Sequence, residues 1–161
     1  MNIESILVPG RAFGSLRASS KKRAIEFAAE KIAETMPDLE PGVIYRNLIE
    51  REKLGTTAIG HGVAMPHCRL TDLETIVGSL FVFEEAVEFS APDDLPVSIM
   101  FVLLVPEAET NEHLRTLATL ATAFSDEGTR ASLIEAADNQ ALYDIAITLG
   151  ESSDTRSASG Q

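Results

Sequence analysis

Ile59-Gly60-His61-Gly62-Val63-Ala64-Met65-Pro66-His67-Cys68 is the stretch on which the reading of this chain turns. Its two glycines admit backbone conformations closed to residues that carry a Cβ. The small apolar run that follows reads as a buried strand. Pro66 lacks an N–H and fixes φ, so the strand is expected to stop there. His67 then stands at the end of a stiffened segment, with an imidazole that changes charge near neutral pH. That placement makes it a candidate nucleophile, although a lone histidine is as often an ordinary side chain.

Upstream, Phe13-Gly14-Ser15-Leu16-Arg17 alternates as a short strand does. Ser19 or Ser20 is placed to cap a helix running from Lys21 to about Glu34, with Ala24, Phe27, Ala28 and Ile32 on its apolar face. Pro37 ends it, and Pro41 suits the first turn of a second helix. There Val43, Ile44, Leu48, Ile49 and Leu54 make the apolar stripe, and Gly55 the stop. Downstream, a polar turn is expected around 69–72. Thr75 to Phe83 reads as a strand, with a shorter one through Val87-Glu88-Phe89. Ala91-Pro92-Asp93-Asp94 is turn chemistry. Val97 to Val105 is nearly continuous apolar sequence, the mark of a central strand covered on both faces, and Pro106 closes it.

Thr110 or Asn111 is expected to cap a third helix with Leu114, Leu117, Leu120 and Ala121 buried and His113 in its first turn. Shorter helices follow near 129–137 and 140–149. Residues 1–150 then read as one α/β or α+β domain with helices on both sheet faces. Residues 151–161 are Ser-rich and without apolar anchors, which predicts a disordered polar tail.

With 161 residues, 45% hydrophobic and 24% charged, the chain has the composition of a single soluble globular domain. No apolar run is long enough to span a bilayer. The start, Met-Asn-Ile-Glu-Ser, lacks the basic and apolar regions of a secretory signal. A single cysteine fits a reducing compartment, so the cytoplasm is the expected location. The formal charge of −12 argues against nucleic acid and anionic membranes, both of which are recognised by excess Lys and Arg. It favours a partner with a basic face.

Two more residues bear on His67. Arg51 falls at the end of the second helix, and His113 opens the third, where unpaired N–H groups favour an anion. If the three converge, they offer a nucleophilic imidazole, a second donor and a guanidinium matched to phosphate oxygens. Phosphoryl transfer asks mainly for positioning and charge stabilisation, so such a minimal set suffices. Spacing alone does not establish the convergence.

From roughly Ser19 to Leu149 the chain resembles the type-2 EIIA domains of the bacterial phosphoenolpyruvate phosphotransferase system (PTS), both the fructose/mannitol and the nitrogen-regulatory kinds. The resemblance is sharpest in Arg51-Glu52-Lys53-Leu54-Gly55-Thr56-Thr57, leading into Ile59-Gly60, Val63-Ala64-Met65 and Pro66-His67. The family carries an acidic or amide residue at the place of Glu52. The resemblance implies that His67 is phosphorylated, on Nε2, by the histidine carrier protein HPr or its nitrogen-branch counterpart. Arg51 and His113 match the family's arginine and second active-site histidine, and the family fold is a mixed sheet with helices on both faces. Two departures stand out: His61 where nitrogen-type members often have asparagine, and Cys68 where glycine is common. Either is a possible auxiliary group at the site. The resemblance implies no cofactor and no metal.

Within the family, nitrogen-regulatory members are commonly free-standing and act on protein targets, whereas sugar-specific members pass phosphate to an EIIB domain. The sequence contains neither a partner domain nor a membrane segment, which favours the regulatory kind. Three readings from other classes compete. A zinc hydrolase site built from His61, His67 and His113 lacks a familiar ligand spacing and a carboxylate partner. Cysteine catalysis by Cys68 is disfavoured because neighbours on an extended segment point apart. A binding module without transfer is opposed by the intact Pro66-His67 pair.

Overall fold

The two longest strands, β5 (Val77–Val87) and β6 (Val97–Pro106), pair antiparallel and form the middle of the sheet in this computed structural model, which describes residues 2–150. The alternation along β6 explains its unbroken apolar sequence. Met100, Val102 and Leu104 pack into one hydrophobic layer, and Ile99, Phe101, Leu103 and Val105 into the other. Successive side chains of a strand point to opposite faces, so only a strand with helices on both sides is apolar throughout.

The remaining strands are β1 (Ala12–Leu16), β2 (Ala58–Gly60), β3 (Val63–Ala64) and β4 (His67–Leu70). β1 pairs parallel to β5, β3 and β4 both pair parallel to β6, and β2 pairs antiparallel to β3. The sheet is therefore mixed. Helices α1 (Lys21–Thr35) and α2 (Pro41–Lys53) supply Ala24, Ile25, Ala28, Ile32, Ile44 and Leu48 to one layer. The other layer takes Leu120 and Phe124 from α3 (Glu112–Phe124), Leu133 from α4 (Glu127–Ile134), and Leu142 and Ala146 from α5 (Asn139–Ala146). The fold expected from sequence, a mixed sheet between two helical layers, is the one found.

Local signals set most element boundaries. The Ser20 side chain accepts from the Arg23 N–H and starts α1, and Pro41 occupies the first turn of α2. Asp126 and Asp138 cap α4 and α5 through side-chain oxygens. Four details differ from the sequence expectation. Arg69 and Leu70 belong to β4, so the turn begins only at Thr71. The two strands expected between Thr75 and Phe89 are one, with an irregular register between Val82 and Val87. Leu54 is 84% exposed and Leu114 is 56% exposed, so neither lies in a core stripe. Ile3, Ile6 and Leu7, on a segment with two short 3-10 turns, fill the second layer instead. Turns that short carry no periodicity for a sequence reading to detect. The polar tail expected at 151–161 lies outside the described residues.

Pro66 divides one line of chain into two strands. β3 stops at Ala64, the chain crosses Met65 and Pro66, and β4 resumes at His67 along the same neighbour, β6. The proline donates no hydrogen bond, but its carbonyl accepts the Leu103 N–H at 2.9 Å, which keeps the register. His67 thus opens a strand rather than closing one.

Candidate functional site

A cleft of about 520 Å³ lies at the β4 edge of the sheet, and its walls bring together Arg51, His67 and His113. Arg51 comes from the last turn of α2, His67 from the start of β4 and His113 from the first turn of α3. The convergence that spacing left open is therefore present. Asn47, Glu50, Leu54, Cys68, Arg69 and Val105 complete the walls around them. Asn47 and Arg69 also border a second hollow of about 410 Å³, which contains no histidine.

The His67 ring is half-buried. Its Nδ1 lies 2.9 Å from the Met65 carbonyl oxygen. A carbonyl only accepts, so the bond requires the proton on Nδ1 and leaves the Nε2 lone pair free. Burial is the main influence on its pKa and pushes it below the ordinary histidine value of 6.5. The Met65 carbonyl and, more weakly, Glu52 oppose that shift, while the positive fields of Arg51 and His113 reinforce it. The result is a neutral imidazole near neutral pH, with its nucleophilic nitrogen fixed.

Arg51 spends one guanidinium nitrogen on the Gly55 carbonyl, 2.9 Å away. The same bond satisfies a carbonyl just past the helix end, where a cation is also favoured by the helix dipole. His113 Nδ1 is buried and has no hydrogen-bond partner among the described residues. A buried polar atom without a partner is costly, and it is kept where a ligand or a reacting group supplies one.

Glu52, next to Arg51, has its carboxylate buried. It accepts from the Thr57 N–H at 3.0 and 3.1 Å and from the Thr57 hydroxyl at 2.8 Å. Lys21 closes the set with an ion pair at 3.3 Å. This cluster fixes the bend between α2 and β2, and with it the end of the helix that carries Arg51. The sequence offered the acidic residue but no sign of its partners, which are distant along the chain or look like loop polarity.

The two auxiliary candidates fare differently. His61 occupies the β2–β3 turn at φ 58°, between Gly60 at 97° and Gly62 at 76°. Its N–H donates to Asp93 at 2.7 Å, and its side chain is exposed outside the cleft walls. Cys68 borders the cleft but packs into the α1–α2 layer, where burial pushes its thiol up to about 12. That is far from a thiolate at neutral pH. Among the described residues no three His, Cys, Asp or Glu side chains are grouped to hold a metal ion. The three-histidine arrangement does not assemble.

Met65 and Arg69 are the contributors that sequence reading missed. Met65 acts through its carbonyl, which every residue has, so no signal existed. Arg69 sits two residues after His67 on β4, where the sequence suggested a turn. Its Nη1 donates to the carbonyl oxygens of Pro106 at 3.4 Å and Glu107 at 3.0 Å, and also to that of Glu109.

The mixed sheet between helical layers has close parallels among known proteins. The chain belongs to the family described as phosphoenolpyruvate-dependent sugar phosphotransferase system, EIIA 2, whose model matches residues 6–147. Within it, the chain is similar to nitrogen regulatory proteins. That of Pseudomonas aeruginosa is 40% identical over 147 residues, covering 91% of this chain and 96% of the relative. That of Bradyrhizobium diazoefficiens is 37% identical, covering 90% and 94%. Among solved structures, the nitrogen regulatory protein IIA-Ntr of Neisseria meningitidis superposes with a TM-score of 0.83 at 38% identity, covering 89% of this chain and 97% of that one. Among the described residues no helix is long and apolar enough to cross a membrane.

Proposed function

We propose that this chain is a cytoplasmic histidine phosphocarrier of the nitrogen-regulatory PTS branch, with His67 as the phosphoryl acceptor. The donor is HPr or its nitrogen-branch counterpart, and the phosphorylation state sets which regulatory targets the protein binds. One observation carries the chemistry: the Nδ1–H of His67 is held by the Met65 carbonyl, so Nε2 is the free nitrogen in the Arg51–His113 cleft.

The transfer is a displacement at phosphorus. The Nε2 lone pair of neutral His67 attacks the phosphohistidine of the donor, and the new N–P bond forms as the donor's own breaks. The electron pair of the broken bond returns to the donor imidazole. His67 keeps its Nδ1 proton throughout and becomes cationic, and the Met65 carbonyl stabilises that charge. Arg51 offers the remaining guanidinium N–H groups to the phosphoryl oxygens. His113 donates a hydrogen bond to the same oxygens. No group other than the two rings has to carry the phosphoryl during the step.

The test is mass spectrometry after incubation with phosphoenolpyruvate, Enzyme I and HPr. The expected product carries one acid-labile phosphoryl group, absent in His67→Ala. An unmodified wild-type protein would overturn the proposal. Restoration of uptake of a particular sugar, in cells lacking their own EIIA, would replace the regulatory role by transfer to an EIIB domain.

A further inference from the structure

We infer that Arg69 is a positioning residue, whose guanidinium sets the place of His113 in the cleft by clasping the turn that leads into α3. The inference rests on the reading of His67 as phosphoryl acceptor and adds how the second histidine is held opposite it. Arg69 lies on the same strand as His67, two residues on and therefore on the same face. From there it binds the carbonyls of Pro106, the last residue of β6, and of Glu107 and Glu109 in the turn that leads to α3. The backbone adds a second tie, the Glu107 N–H donating to the Leu70 carbonyl at 3.0 Å.

The connection continues without a break to His113. The Glu109 side chain accepts from the Glu112 N–H at 2.6 Å, taking the part that a helix cap normally plays, because Asn111 makes no side-chain cap bond. His113 is the next residue. Around it, Glu112, Leu114 and Arg115 are all exposed, so the first turn of α3 has little core packing to fix it. Its buried anchors, Thr116, Leu120 and Phe124, begin one turn later. The polar chain Arg69–Glu109–Glu112 therefore does for this turn what apolar burial does for the rest of the helix. It also couples the strand bearing one histidine to the helix bearing the other.

The test is a double-mutant cycle in single-turnover phosphorylation. Arg69→Met keeps the side-chain stem and removes the donors. Displacement of a positioned group by a fraction of an ångström slows a reaction strongly, so a loss of roughly tenfold is expected in the wild-type background. In His113→Ala the same change should cost less than about twofold, because coupled residues are not additive. Arg69→Lys, with an ammonium still able to reach one carbonyl, should recover part of the rate. An equal loss in both backgrounds would show that Arg69 acts by charge on the donor or by folding, and would overturn the inference. So would no loss in either.

NMR of the histidine rings separates this from the acceptor reading. Arg69→Met should move the His113 ring resonances and leave those of His61 in place. If wild-type protein accepts no phosphoryl group, the acceptor reading fails, and the His113 resonances still decide the positioning. Unmoved resonances would sink it.

Discussion

The His67 ring donates its Nδ1 proton to the carbonyl of Met65, 2.9 Å away and two residues back across Pro66. The proline fixes φ between the two partners, so the acceptor is supplied by the same stiff segment that presents the ring. Tautomer and orientation are thereby set by local backbone, while the charge state is set mainly by burial against the rest of the cleft.

The pH dependence follows from the direction of that shift. The folded pKa of His67 lies below its unfolded value of about 6.5, so the unfolded chain takes up a proton first as pH falls. Folding stability contributed by this residue is intact above the unfolded value, and is lost as pH drops from there through the folded one. Thermal melts of wild type and His67→Gln should keep a constant difference above pH 7 and diverge below about 6.5, with wild type losing more. The rate of phosphoryl acceptance should fall only below the lowered folded value.

Arg51 should matter to transfer far more than to stability. Among the described residues its hydrogen bond is to the Gly55 carbonyl just past the helix end, and the side chain lines the cleft. Arg51→Ala is expected to slow single-turnover phosphorylation by about a hundredfold, the usual scale for removing a charge-stabilising donor. The midpoint of urea unfolding should stay close to wild type.

Glu52 should behave in the opposite way, with stability as the first casualty. Replacing it by Ala strands the Thr57 N–H and hydroxyl and leaves Lys21 without its ion-pair partner, with only the Phe89 carbonyl at 3.4 Å and the Phe89 ring against its ammonium among the described residues. Orphaning buried partners in this way costs about 3 kcal/mol. Denaturant titration of Glu52→Ala would measure it, and slower phosphorylation should accompany the loss because the bend behind Arg51 loosens. A variant as stable as wild type would contradict the role assigned to the carboxylate.

Cys68 should be inert in the folded protein. With burial pushing the thiol up to about 12, almost no thiolate exists at pH 8. Iodoacetamide should leave native protein unmodified over the time in which it fully labels the urea-unfolded chain. Rapid native labelling would mean that the α1–α2 layer opens far more readily than its packing implies.

Much of this molecule was legible residue by residue. The helix starts at Ser19 or Ser20 and at Pro41 and the turn at Ala91-Pro92-Asp93-Asp94 came from chemistry within a few positions. The errors lie where the deciding partner is remote. Leu54 and Leu114 fit an apolar helical stripe, yet both face outward, Leu54 on the cleft wall and Leu114 beside His113. Arg69 read as turn polarity because the carbonyls it binds belong to another strand's end.

The sequence by itself determined the helix order, the two-sided burial of Val97 to Val105 and the stiff Pro66-His67 segment, since each depends on side-chain period or on φ within a few residues. The tertiary structure alone decided that Arg51, His67 and His113 share one cleft while His61 stands outside it. That outcome depends on β4 running parallel beside β6, so that the start of α3 returns next to His67, and pairing across the sheet is a property no local stretch contains.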